Sequence, residues 1–435
     1  MEGFIMAAQM ILGLTILVGV HEAGHMIAAK YFGMRVEKFS IGFPPKLFGF
    51  RKGETEYSIG AIPLGGFVKI TGMIDESLDT KSLSKEPEPY EFRAKPAWQR
   101  LIVMMGGIIV NVITGILIFV CIVYMNGESN YSMEEVNKRG IVAFELGEKI
   151  GFKTGDKILK VNGQPIQKFS EALNPDVLLG TNSYYTVERN GQILELKIPN
   201  DFLKDLSKKK DMIIDPIRPF QVDSVISGTP AEKAGLKKND LIVQAANRPV
   251  GHFFELKDIL ADNKGKQIPV IVQRGSDQVT LTANVKGDGT LGFLPKFLLK
   301  ETFEKYGIGK SIVKGSEVAF SAITTNIKGL GKIFKGEVSA RDSLSGPIGI
   351  AKEFGGHWNW LRFWNLVGLL SMVLAFMNFL PIPALDGGHV VFLAYEMVSG
   401  RKPSDKFLEI AQKVGMVILL ALMVFAFGND IIKLL

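Results

Sequence analysis

Four long apolar stretches punctuate the chain, and the pattern between them changes twice. Phe4 to Val20 carries no charge, and apolar character resumes from Met26 to Ala29 before Lys30. Leu101 to Met125 gives 25 uncharged residues, and Phe363 to Leu385 gives 23, broken by Pro381 and Pro383. Each is long enough to span a bilayer as a helix. A fourth stretch is uncharged only from Val414 to Gly428, slightly short of a full span, with Lys413 and Lys433 placed to snorkel at its ends. It reads as a fourth span or as a core helix. The pattern predicts a multi-pass α-helical membrane protein with four transmembrane helices and a large insertion between the second and third.

The insertion has its own period. Glu148-Lys149-Ile150-Gly151-Phe152-Lys153-Thr154-Gly155-Asp156-Lys157-Ile158 aligns at an offset of 84 with Glu232-Lys233-Ala234-Gly235-Leu236-Lys237-Lys238-Asn239-Asp240-Leu241-Ile242. The match continues through Asn162-Gly163-Gln164-Pro165-Ile166 and Ala246-Asn247-Arg248-Pro249-Val250. Each copy predicts a short helix ending near Gly, a turn, a buried strand, a tight turn and another strand. Tyr184 to Glu188 and Ile268 to Gln273 are strand-like and lead into turns at Gly191 and Gly275. After the repeat, Ile312, Ala319, Ile323, Ile327, Leu330 and Phe334 recur at helical spacing, which predicts an amphipathic helix on the outer membrane surface or packed on the spans.

Composition and charge refine this picture. A 47% hydrophobic content is high for a soluble chain, yet 22% charged residues are too many for spans alone. The net charge of +7 is spread along the chain. Lys208-Lys209-Lys210, the only tight basic run, reads as a solvated loop, so no nucleic-acid partner is expected. A single cysteine, Cys121, excludes an intramolecular disulfide and sits in an apolar run as packing. The first residues lack the positive region of a cleavable signal peptide. Lys30, Arg35 and Lys38 follow the first stretch, Arg93, Lys95 and Arg100 precede the second, and Arg401, Lys402 and Lys406 lie between the third and fourth. The positive-inside rule then puts these two loops in the cytoplasm, both termini outside, and Asn126 to Arg362 outside as well.

The chemistry lies inside the apolar stretches. His21-Glu22-Ala23-Gly24-His25 places two imidazoles at i and i+4 on one helix face, where both can bind one metal, with Glu22 placed to activate water there. Two imidazoles and a carboxylate in hydrocarbon mark a functional site. A catalytic zinc site wants a third protein ligand and an open position. Asp386, at the end of Asn378-Phe379-Leu380-Pro381-Ile382-Pro383-Ala384-Leu385-Asp386-Gly387-Gly388, lies at a comparable depth, where two prolines break the helix and free backbone to line a polar cavity. His389, one turn farther on, competes for that role. His252 and His357 read as ordinary surface or packing residues.

HEAGH in the first span and NFLPIPALDGG in a later one together resemble the site-2 protease family of intramembrane zinc metalloproteases. The inserted repeat looks like a tandem pair of PDZ domains, as in the RseP-type bacterial branch of that family. Gly289-Thr290-Leu291-Gly292-Phe293 is similar to a PDZ carboxylate-binding loop, placed at the end of its copy as in permuted bacterial versions. Pro63-Leu64-Gly65-Gly66-Phe67-Val68-Lys69-Ile70-Thr71-Gly72 and Gly346-Pro347-Ile348-Gly349-Ile350 are similar to further signatures of the branch. The resemblance implies that His21, His25 and Asp386 bind Zn2+, that Glu22 is the general base, and that Asn378 is a polar partner for the substrate backbone or oxyanion. It implies a β-hairpin around Ile59 to Ile70, dipping toward the site, with Gly65, Gly66 and Phe67 on a substrate-pairing strand. One departure stands in the second span, where Gly106-Gly107-Ile108-Ile109-Val110-Asn111 has Ile108 at a position that is proline in many relatives.

The domain layout that follows is a first transmembrane helix with HEAGH over 1–34 and a cytoplasmic, membrane-associated hairpin region over 35–97. The second helix takes 98–125, the PDZ-like domains 127–215 and 216–300, and the amphipathic helix and linker 301–360. The third helix takes 361–385, a cytoplasmic loop 386–408, and the fourth helix 409–435. The implied partners are the lipid bilayer and single-span transmembrane substrates already cut by another protease, such as anti-sigma factors and signal-peptide remnants. The implied location is the bacterial inner membrane with the PDZ pair extracytoplasmic. The PDZ pair binds peptide ends or serves as a rigid spacer. Two other classes compete: a membrane-anchored metallopeptidase with its site outside the bilayer, and a PDZ scaffold with a structural zinc. The first wants HExxH in a polar helix and a soluble third ligand, and this chain offers neither clearly.

Overall fold

The computed structural model describes residues 1–73, 86–208 and 211–433, so Lys209 and Lys210 of the basic run lie outside the described residues. The chain divides into two compact units, one built from residues 1–128 and 305–435 and the other from residues 129–304.

Among the described residues the first unit contains four helices long and apolar enough to cross a membrane: Glu2–Tyr31 (α1), Ala97–Asn126 (α2), Trp360–Phe379 and Lys406–Ile432. The last stretch is therefore a full-length helix rather than a short one. Small residues set how closely α1 and α2 approach. A Cβ on Gly24 would lie 2.3 Å from the Gly106 carbonyl oxygen, and one on Gly106 would lie 2.6 Å from that of Gly24. Close backbone contact of this kind is the usual basis of helix association in lipid, where no hydrophobic force brings helices together.

The amphipathic segment forms the helix Ile308–Phe334, and it packs on the spans. Its buried face is Ser311, Gly315 and Ala319, with Gly315 against Val120 of α2 and Ala319 buried beside Phe119 and Met372. The short helix Pro347–Phe354 follows, opened by Pro347 at its first turn. Asp430, near the end of the last helix, accepts hydrogen bonds from the backbone N–H groups of Gly346, Ile348 and Gly349 at 2.9, 2.8 and 3.0 Å. Asn429 donates to the Arg341 and Leu344 carbonyls at 2.7 and 2.8 Å. The Gly-Pro-Ile-Gly signature thus forms a helix start whose orphan donors are satisfied by a carboxylate from another helix.

Two expectations need correction. The third apolar helix ends at Phe379 rather than Leu385, because Leu380 precedes a proline and takes extended backbone angles. Residues 386–399, expected within a connecting loop, form the helix Asp386–Ser399. A partly buried ion pair between Arg100 of α2 and Glu396 fastens that helix to α2.

Between α1 and α2 the chain forms two long strands, Val36–Lys52 (β1) and Thr55–Ile70 (β2). The hairpin is therefore larger than Ile59 to Ile70, with β1 as its other arm. Residues 36–41 pair on one side with 66–70 and on the other with 56–59, while 46–52 pair with 55–60. The stretch 66–70 is left as an edge: among the described residues no third strand covers it.

In the second unit the repeat is visible as two four-stranded antiparallel sheets of identical order. Lys157–Val161, Gln164–Pro165, Tyr184–Arg189 and Gln192–Lys197 form one, and Leu241–Ala245, Arg248–Pro249, Gln267–Arg274 and Asp277–Asn284 the other. Each copy also carries the same clasp. Asp156 takes both guanidinium hydrogen bonds of Arg189 at 2.7 Å, and Asp240 takes those of Arg274 at 2.7 Å. The same arginines donate to the carbonyls of Gly151 and Gly235. Burial alone would raise the Asp240 carboxyl, but Arg274 and the Lys237 N–H outweigh it and hold it below the usual carboxylate range.

The Asp430 contact gives a stability test. Asp430→Ala leaves three N–H groups, one buried and two partly buried, without an acceptor and is expected to cost about 2–3 kcal/mol, read as a lower melting temperature in detergent. Asp430→Asn keeps one acceptor oxygen and should fall between. An unchanged melting temperature for Asp430→Ala would mean that this contact does not hold the two helices together.

Candidate metal centre

Helical spacing does the first part of the assembly. His21 and His25 share one face of α1, and their Nε2 atoms lie 3.3 Å apart with the rings nearly perpendicular. The proline turn does the second part. Ile382 N–H donates to the Leu380 carbonyl and Leu385 N–H to that of Ile382, with Ala384 at φ +79°, so the chain turns tightly between the two helices. The helix that follows starts so close to this turn that Cβ atoms on Gly387 and Gly388 would lie 2.2 and 2.6 Å from the carbonyl oxygens of Leu380 and Ile382. Asp386, its first residue, projects Oδ2 to 3.2 Å from His21 Nε2 and 3.3 Å from His25 Nε2. Among the described residues these three form the one group of at least three potential metal ligands with donor atoms within 4.8 Å of one another.

The donor set fits a metal. His25 Nδ1 lies 2.8 Å from the Val103 carbonyl oxygen, which can only accept, so Nδ1 carries the proton and Nε2 presents a lone pair. Asp386 Oδ2 is buried without a hydrogen-bond donor. Acceptor atoms this close in a water-poor interior call for a shared cation, and two imidazoles with one carboxylate suit zinc with a position left open.

Around this focus lies a cavity of about 870 Å³. Glu22 lines it and rests against the sheet edge: a Cβ on Gly66 would lie 3.3 Å from Glu22 Cγ. Gly65, Gly66 and Phe67 line the same cavity, as do Asn378, Lys38 and Gln412. Asn378 Nδ2 is 3.2 Å from His21 Nε2, within reach of the focal point itself. His389 also lines the cavity but stands outside the three-residue group. His252 is buried and caps the helix Phe253–Asp262, His357 is exposed, and neither belongs to the three-residue group. Ile108 is buried within α2, which runs unbroken from Ala97 to Asn126.

Three contributors from α2 carry no role in the sequence pattern alone: the Val103 carbonyl, and Gly107 and Asn111, which stand there only as part of the Gly106 to Asn111 signature. Gly107 had a signal, a double glycine at 106 and 107 in an apolar span, but its partner could not be read from it. A Cβ at Gly107 would lie 2.4 Å from His25 Nε2 and 2.6 Å from His21 Cε1.

The model of peptidase family M50 matches residues 9–422. The chain belongs to that family. Its relatives include a Pasteurella multocida protein named as a candidate zinc metalloprotease, at 32% identity, and the Haemophilus influenzae regulator of sigma E protease, at 30%. The regulator of sigma-E protease RseP of Escherichia coli is 28% identical. In all three cases the match covers 98% of both chains. This M50 protein is thus similar over 98% of its length to proteins named as regulators of sigma-E protease and as candidate zinc metalloproteases, and among the described residues it has four helices suited to crossing a membrane.

Gly107 supplies a sharp test. Alanine favours a helix interior by about 1 kcal/mol over glycine, so propensity alone predicts a harmless or stabilising Gly107→Ala. Contact with both imidazoles predicts instead that the added methyl displaces their nitrogens and lowers zinc affinity at least tenfold. Metal analysis of the purified variant decides between them, and normal zinc content would show that the methyl is accommodated.

Proposed function

We propose that this chain is an intramembrane zinc endopeptidase that cuts the transmembrane segments of single-span membrane proteins. The observation that carries the reading is the convergence of His21, His25 and Asp386 on one cavity that also holds Glu22 and an open strand edge. Zinc, when bound, supplies a Lewis acid that polarises the scissile carbonyl and lowers the pKa of water. Glu22 takes the proton from the attacking water and returns it to the leaving amine. Asn378 donates through Nδ2 toward the oxygen that gains charge at the carbonyl. A substrate helix hides its carbonyls in hydrogen bonds, so it unwinds before attack. The edge at Gly66 to Ile70, reached through Gly65 and flanked by Phe67, pairs with the unwound backbone and replaces the partners that hydrocarbon lacks.

The charge pattern supports an inner-membrane orientation with His21, His25 and Asp386 toward the cytoplasmic side and residues 126–362 outside. On this reading the two repeated sheets are PDZ-like domains, taken as 127–215 and 216–300, that sit across the membrane from the chemistry. Substrates are single-span proteins trimmed beforehand by another protease, anti-sigma factors and signal-peptide remnants being the chemical type. The PDZ-like pair bars substrates with bulky outer domains or holds the carboxyl end left by the earlier cut.

Two experiments test this. His21→Ala with His25→Ala should abolish zinc binding, whereas Glu22→Gln should keep one zinc per chain and lower turnover of a tagged single-span substrate by at least a hundredfold. Near-normal cleavage by Glu22→Gln removes Glu22 from the mechanism, and full zinc occupancy in the double mutant moves the metal elsewhere. Deleting residues 127–295 should leave cleavage of short-tailed substrates intact and extend it to untrimmed ones. A folded, zinc-loaded deletion variant that cuts neither would end the gatekeeping role.

A further inference from the structure

We propose that Asn111 is the positioning residue that sets the tautomer of His21, accepting a hydrogen bond from its Nδ1 and so directing the Nε2 lone pair toward the metal. The inference rests on the reading of His21, His25 and Asp386 as ligands. It starts from an asymmetry between the two imidazoles. His25 has a partner that fixes its proton, since the Val103 carbonyl can only accept from Nδ1. His21 has no such carbonyl. The group facing its Nδ1 is the Asn111 side-chain amide, with Nδ2 at 3.2 Å.

An amide can face His21 in two ways that differ by exchange of nitrogen and oxygen. With Nδ2 toward His21, Nδ1 must accept and the imidazole proton moves to Nε2. That proton then points at His25 Nε2 and Asp386 Oδ2 and blocks the lone pair a metal needs. The same orientation leaves Asn111 Oδ1 buried without a donor. Turning the amide places Oδ1 on Nδ1–H, keeps the proton off the metal face, and frees Nε2. The amide nitrogen then takes the enclosed position of the orphaned oxygen, so the count of unmatched polar atoms is unchanged. The state of His21 is what distinguishes the two.

Asn111 is built to hold that contact. It is 0% exposed, and its backbone carbonyl accepts from Ser371 Oγ at 2.8 Å, which ties α2 to the helix Trp360–Phe379 at this level. It lies one helical turn beyond Gly107, on the same face. Gly107 leaves room for the imidazoles, and Asn111 orients one of them. Outer partners of ligating histidines commonly alter metal affinity by 10–100-fold.

The test is zinc affinity of the full-length protein in detergent, measured by chelator competition for wild type, Asn111→Leu and Asn111→Asp. Leucine keeps the γ-branched shape with somewhat larger terminal groups and removes the acceptor, and should weaken zinc binding 10–100-fold. Aspartate offers acceptors only and should bind zinc at least as tightly as wild type. A merely structural role predicts that both variants weaken binding together, or that neither does. Wild-type affinity in Asn111→Leu overturns the proposal, and so does a loss in folded Asn111→Asp as large as that in Asn111→Leu. A wild-type protein that binds no zinc overturns the ligand reading itself, a result separate from either.

Discussion

Two imidazole nitrogens and a carboxylate oxygen facing one another at 3.2–3.3 Å inside an apolar helix bundle constrain the rest of the first unit. Lone pairs at that separation repel, and each buried polar group left unmatched costs several kcal/mol in a medium without water. On the proposed reading, a cation shared among them would turn the repulsion into attraction. The surrounding structure keeps the three atoms in place at modest cost. A helix-interior glycine costs about 0.5–1 kcal/mol relative to alanine. Gly24, Gly106 and Gly107 together therefore cost about 1.5–3 kcal/mol, less than an unmatched carboxylate would.

The same economy explains why the third apolar helix stops where it does. A continuous helix through Leu385 would leave Asp386 wherever the helical period carried it, facing lipid or a neighbour. Pro381 and Pro383 end the helix, and the next one begins at Asp386, with its N–H groups and dipole favouring a carboxylate in the first turn. Gly387 and Gly388 admit the turn because a side chain at either would overlap its carbonyls. The Arg100–Glu396 pair then fixes the new helix against α2, the element that also carries Val103, Gly107 and Asn111. The ligand geometry is thus set by α1, by the helix starting at Asp386, and by α2 between them.

What could be read in advance was whatever a single element encodes. HEAGH sits on one helix and has its geometry built into the 3.6-residue period, so the pairing of His21 and His25 was legible. Asp386 was legible as the other acid at that depth. The 84-residue repeat announced two similar sheets, yet not the clasps within them. Arg189 and Arg274 stand 85 residues apart while their aspartates stand 84 apart, so a constant offset passes over the pair. The hairpin was drawn too small because β1 is rich in lysine, glycine and proline and shows little alternation, and its pairing with 66–70 is settled by contact across the chain. Helix ends near prolines and contacts between helices, such as Gly107 on both histidines, depend on elements far apart in sequence. Local pattern does not carry them.

The open edge at residues 66–70 completes the argument from solvent. An unpaired strand edge is a hazard in water because any extended chain can add to it. In hydrocarbon it is costlier still, because its free N–H and C=O groups have no water to turn to. An edge lining the cavity that holds Glu22 and the histidines is tolerable where the cavity is polar and where an incoming backbone can satisfy it. A substrate helix, on the proposed reading, gives up intrahelical hydrogen bonds on unwinding, and the edge offers replacements at the place where a carbonyl must be exposed. On the proposed reading the two deficits cancel: the strand gains partners and the unwound segment regains them. Pairing through backbone groups alone is indifferent to side-chain identity. Selection among substrates then falls to how readily a segment unwinds and to what stands in the way of its approach.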